Sequence, residues 1–151
     1  MKIVRYFILI KLAILTLNGY SQIYLAEDFE SGTKPSGWTE EYVSDEEANW
    51  DYKDGGLEIE GESYPAHAYE GNYNALFGYN TTYTTKLVTP AINLEDAEKP
   101  MLRFWHAMQN YAGDVDELRI FYKHKPEASW MLLKTYTNEV YEWTPREIYL
   151  P

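Results

Sequence analysis

The chain contains no cysteine. No disulfide can staple it, no thiol can act as a nucleophile, and no N-terminal cysteine is there to carry a lipid. Basic residues are also scarce: 13 Lys and Arg stand against 24 Asp and Glu, a formal charge of −11 over 151 residues. A polyanion binder needs clustered cations to release phosphate counterions, so this balance excludes nucleic acid as a partner. It argues equally against an anionic membrane surface. Only three histidines occur, His67, His106 and His124, and no two have metal-ligand spacing. His-Glu-x-x-His and Gly-x-Ser-x-Gly are both absent, which removes the zinc-peptidase and nucleophile-elbow readings. Glycosidase carboxylates leave no local signature, so the sequence is silent on that chemistry. The expectation is a protein without a catalytic centre of its own.

What is present begins with an export signal. Lys2 and Arg5 precede an apolar core from Phe7 to Leu17, interrupted only by Lys11. Gly19 and Ser21 supply the small residues of a cleavage site, which predicts a signal peptide over residues 1–21 and a mature start at Gln22. The apolar run is too short to span a bilayer core of about 30 Å, so no membrane insertion is expected after cleavage. Losing Lys2, Arg5 and Lys11 would leave 10 basic against 24 acidic residues, a charge of −14. The predicted location is outside the cytoplasm, secreted or at the cell surface.

Residues 22–151 are then one domain, and their dominant pattern has period two. Leu118, Ile120 and Tyr122 alternate with Arg119, Phe121 and Lys123; Leu102, Phe104 and His106 alternate with Arg103, Trp105 and Ala107. Trp130 to Tyr136 forms a third strand, paired with 118–123 as an antiparallel hairpin across a loop containing Pro126. Weaker strands are predicted at 25–29, 50–52, 73–79, 86–94 and 143–150, with Pro90 marking an edge or a bulge. Turn residues punctuate the gaps, as in Pro35-Ser36-Gly37, Asp54-Gly55-Gly56 and Glu70-Gly71-Asn72. Many short strands with such turns predict an all-β antiparallel sandwich. Aromatic residues make up 17% of the chain, enough apolar surface to demand burial despite the charge.

Phe29-Glu30-Ser31-Gly32, Pro35-Ser36-Gly37-Trp38 and Trp50 are followed by His67-Ala68-Tyr69-Glu70-Gly71-Asn72-Tyr73 and Leu87-Val88-Thr89-Pro90. Leu102-Arg103-Phe104-Trp105-His106, Asp116 to Ile120, Trp130 to Tyr136 and Trp143-Thr144 complete the series. In this order and spacing the chain resembles the choice-of-anchor J and cleaved-adhesin domains, relatives of the MAM domain. The resemblance implies a jelly-roll β-sandwich in a secreted or surface bacterial protein, acting as an adhesion or ligand-binding module for an extracellular protein or glycan. It also implies two further strands beyond the Trp143 segment, so the sandwich is expected to be incomplete at its C-terminus. The alternative is an accessory domain of a secreted peptidase or glycosidase whose catalytic part lies outside this chain, and a third reading is a structural spacer.

Candidate site residues follow from these readings. In related jelly rolls a structural ion ties the first strand to the last, and Ca2+ is the cation such oxygen donors take. The matching acid is Glu30, with Asp28 beside it. Tyr79, Tyr83 and Tyr111 fall in turn-like stretches and are the predicted ligand-stacking aromatics, whereas Phe104, Trp105, Trp130 and Trp143 are expected in the core. His106 shares a face with Leu102 and Phe104 and is read as a hydrogen-bonded core histidine. Asp114, Asp116 and Glu117 are read as a solvated acidic turn.

Overall fold

A computed structural model describes residues 6–8, 22–44, 48–78, 83–110 and 115–151. The described residues contain strands and no helix. In chain order the strands are β1 (Tyr6–Ile8), β2 (Thr39–Tyr42), β3 (Asp51–Lys53), β4 (Glu58–Ile59), β5 (Glu62–Ser63) and β6 (Asn74–Phe77). They continue with β7 (Thr85–Val88), β8 (Met101–Met108), β9 (Leu118–Tyr122), β10 (Met131–Tyr136) and β11 (Val140–Tyr149). All pairings are antiparallel: β1-β6-β3, β10-β9, β11-β8, β2-β7 and β4-β5. Small antiparallel sheets around one core are consistent with a β-sandwich. The backbone of β1, which pairs with β6, falls within the segment predicted to be a leader.

The core is aromatic. Phe29 is fully buried, edge-on to Trp38 at 5.7 Å and tilted against Tyr52 at 5.8 Å, while Trp50 meets Phe77 at 5.4 Å. Ala48, Ala75, Phe104, Met108, Leu118 and Ile120 close the same cluster. A fully buried ring of this size contributes roughly 2–3 kcal/mol by transfer alone. Leu118 and Ile120 point inward as their alternation requires, Arg119 is exposed, and Tyr122 is half-buried with its hydroxyl 3.5 Å from Met131 Sδ.

The β9–β10 hairpin forms as predicted, with Leu133 bulged out of register between Leu132 and Lys134. Its outward side is tied to the β2–β7 pair through Glu41. That carboxylate accepts from Lys86 Nζ at 2.7 Å and from Trp130 Nε1 at 2.7 Å, and Lys123 lies 4.3 Å above the Trp130 ring. These donors hold the Glu41 carboxyl below its ordinary range even though burial pushes it up.

Several predicted strands are shorter than their apolar pattern. The segment at 86–94 is strand only to Val88, because Pro90 has no N–H for a ladder. Residues 25–29 carry a lone bridge at Glu27. Phe29 there takes φ +61, its N–H donates to Glu27 Oε1, and its carbonyl accepts from Gly32, so the chain turns instead of extending. Conversely, β11 tolerates Pro145 because its only partner among the described residues is β8, leaving one edge without ladder demands.

Candidate functional site

The inward face of β8 and β11 explains the outward one. Phe104 and His106 are buried, and their register partners Arg146 and Thr144 lie on the same side. Arg146 Nε donates to His106 Nδ1 at 3.1 Å, and its guanidinium lies 4.7 Å from the centre of the Tyr136 ring. Burial first, and the Arg146 charge second, push the imidazole down to about 4. His106 is thus a neutral core histidine, as its strand face predicts.

With Phe104 and His106 inside, Trp105 between them must face the other way. Pro145 lies opposite it in register, and the irregularity between Val140 and Thr144 gives β11 room to set Tyr141 and Trp143 on the outer side. Tyr69 stacks on Trp105 with ring centres 4.5 Å apart and planes inclined by 22°, and Trp143 meets Tyr69 edge-on at 6.5 Å. Further along, Tyr64 and Tyr141 pack edge to face at 5.3 Å. These two phenols and Gln109 line a solvent-open notch. Tyr64, Tyr69 and Tyr141 remain 36%, 40% and 45% exposed, so the outer surface of the group is free to touch a ligand.

The loop that brings Tyr64 and Tyr69 onto this face is pinned at both ends. Asp54 takes His67 Nδ1 at 2.9 Å and the Ala68 N–H at 2.6 Å, and these bonds hold its carboxyl below the usual range. Gly56 N–H donates to Pro65 O at 2.8 Å, and Trp143 Nε1 donates to His67 O at 2.8 Å. The Tyr64–Pro65 peptide is cis. The β4–β5 hairpin closes on Glu60 and Gly61, both with positive φ, which is the backbone of a tight two-residue turn. It carries Glu62, whose carboxylate accepts the Tyr64 hydroxyl at 2.6 Å. Glu139 likewise accepts from Tyr141, and both phenols are held above their ordinary range by these acidic partners.

None of the sequence-predicted site residues is among the described tyrosines of this face. Tyr79 and Tyr111 fall outside the described residues, as does Asp114. Tyr83 is half-buried and packs against the core. Trp105 and Trp143, expected inside, touch the core with one side and build the outer aromatic face with the other. Trp130 is half-buried above the Glu41 cluster. Asp116 is fully buried, a departure from the solvated turn expected there; its N–H donates to Asn110 Oδ1 at 3.3 Å.

Glu30 does join distant segments, but through hydrogen bonds. Its carboxylate accepts the backbone N–H groups of Asn72 at 2.9 Å and Tyr73 at 3.0 Å, with Asn72 Nδ2 at 3.3 Å. Asp28 Oδ1 accepts the Glu30 N–H at 3.1 Å. Among the described residues no three acidic, histidine or cysteine side chains converge as metal ligands.

No family model, no curated protein and no solved structure matches this chain.

Proposed function

We propose that the chain is a non-catalytic, extracellular binding module of jelly-roll type, serving adhesion to a protein or glycan at the surface of the exporting cell. The observation that carries this reading is the outward aromatic group: Tyr69 on Trp105, Trp143 at its edge, and the Tyr64–Tyr141 notch beside it. Soluble domains seldom leave several large rings together in water, and rings that present both apolar faces and hydroxyl edges suit sugar rings and peptide side chains alike. Pinning through Asp54, Gly56 and Trp143 supports the reading further, since a preorganised face gives up little entropy on binding. The leader pattern of residues 1–21 supports export. Calcium at Asp28 and Glu30 is proposed as a structural ion, supported by the two acidic oxygen donors at these near positions in the sequence.

A glycan array and a protein pull-down, run with the wild-type domain and with Tyr69→Ala, test the reading. A ligand retained by wild type and weakened at least ten-fold by the substitution is expected. Equal retention by both proteins would place recognition off this face.

A further inference from the structure

Resting on the reading of the β8–β11 face as the contact surface, we propose that the notch between Tyr64 and Tyr141 receives a cationic side chain, arginine or lysine, from a basic polypeptide partner. Four features of the notch point to a cation.

The first is ring geometry. The two phenol rings, packed edge to face 5.3 Å apart at 66°, both border the same opening. A guanidinium or ammonium over an aromatic face, within about 6 Å of its centre, is attracted by the ring quadrupole. The second is what holds the hydroxyls. Tyr64 donates a hydrogen bond to Glu62 and Tyr141 donates one to Glu139, so each phenol oxygen is polarised toward negative charge and each ring is enriched in electrons. A cation gains more from that polarisation than a neutral sugar does.

The third feature is that the carboxylates cannot swing away freely. Glu139 Oε1 also accepts the Asn110 N–H at 3.0 Å, and Glu62 sits in the β4–β5 ladder opposite Ile59. Two carboxylates are thereby held beside the phenol hydroxyls, while Gln109 lines the opening with an amide able to accept a hydrogen bond. Fourth, the chain as a whole carries −11, so its field draws a basic partner toward the face and repels an acidic one.

The test is calorimetric titration at physiological salt with three probes: an arginine-containing peptide, the same peptide with citrulline in place of arginine, and a neutral β-linked oligosaccharide. Citrulline keeps the shape and removes the charge. The proteins are wild type, Tyr64→Leu, Tyr141→Leu, Glu139→Gln and, as a distant control, Glu95→Gln, each checked for folding by far-UV circular dichroism. Arginine peptide binding at least ten-fold tighter than citrulline peptide is expected, with a loss of ten-fold or more in both tyrosine variants and no change in Glu95→Gln. The tyrosine substitutions conserve net charge, so an unaltered affinity in them would show diffuse attraction and overturn the proposal. If the oligosaccharide binds, loses affinity in Tyr64→Leu, and arginine shows no advantage over citrulline, the face reading stands and the cationic partner falls. Silence from all three probes would overturn both.

Discussion

Arg146 donates through Nε to the Nδ1 of His106, 3.1 Å away, and so occupies the one lone pair by which that buried imidazole could take a proton. The bond fixes the Nε2–H tautomer and sets a cation against the ring. Protonation would then bury two positive groups side by side, beneath Tyr136 and Phe104.

A pH dependence of stability follows. The unfolded chain binds a proton at its histidines near 6.5, whereas folded His106 resists until about 4. Between these values the unfolded state holds more protons, so stability is complete above pH 6.5 and is lost as the pH falls toward 4. The span corresponds to a loss on the order of 3 kcal/mol at its lower end. Urea unfolding at pH 7 and pH 5 should show the decline, and His106→Asn should flatten it. The His106 imidazole resonance titrating near 6.5 in the native protein would contradict the assignment.

Gly56 gives a second prediction. A Cβ at this position would lie 2.3 Å from Tyr64 O, and one at Gly55 would lie 2.6 Å from Ala66 O. Both obstacles are backbone of the loop that carries Tyr64, so relief requires moving that loop off its seat. Gly56→Ala should therefore cost more than about 2 kcal/mol and weaken ligand binding, while Gly61→Ala, which meets nothing within 4 Å, should cost only the strain of its positive φ. Paired denaturation curves for the two variants decide this.

The contrast between those glycines shows what the sequence could reveal. Period-two alternation located β8 and β9 because large apolar side chains fill one buried face of each, and burial of that face overrides local detail. The same alternation contained the outward position of Trp105, since Phe104 and His106 cannot face inward without turning it out. Composition suggested burial instead, because tryptophan is usually internal, and period should have prevailed. Tyr64 and Tyr69 were not legible. They lie outside any periodic run, and they reach the face through Asp54, Gly56 and Trp143, contacts spanning 9 to 76 positions in the chain. The β4–β5 hairpin hid for another reason: its strands are two residues each, too short to show any pattern.

Glu30 acts as a clamp, and removing it should be costly without any ion present. Its carboxylate takes two backbone donors and one amide from the 72–73 turn, and a Cβ on Gly71 would come within 2.3 Å of it. Hydrogen bonds to a charged acceptor carry roughly 1–3 kcal/mol together when partly exposed. Glu30→Ala should lose about that much in buffer containing EDTA, and Gly71→Ala should lose at least as much because its φ is +77. A calcium titration then reports separately on the proposed ion: a melting midpoint raised in the wild type but not in Glu30→Ala marks an ion at Asp28 and Glu30.

The leader reading predicts a defined N-terminus. Intact mass of material secreted by a Gram-negative host should correspond to a chain starting at Gln22, with Met1 retained only in a variant whose Ser21 is replaced by a bulky residue. A native chain exported with residues 1–21 attached would set the cleavage aside.

Trp143 couples the aromatic face to the loop above it, and its indole nitrogen separates two roles. Trp143→Phe keeps an aromatic ring against Tyr69 but deletes the 2.8 Å bond to His67 O. A neutral hydrogen bond of this kind is worth about 1 kcal/mol, so the fold should survive with a modest loss of stability. The local effect should be larger than the global one, because the His67 carbonyl is one of few ties holding residues 64–73 onto β11. Amide exchange within that loop should accelerate several-fold while the β9–β10 ladder, held by its own antiparallel pairing, stays protected. Ligand affinity should fall with the loop, since Tyr64 and Tyr69 both ride on it. Uniform acceleration across the sheet would instead make Trp143 an ordinary packing residue, and the preorganised face would lose its main support.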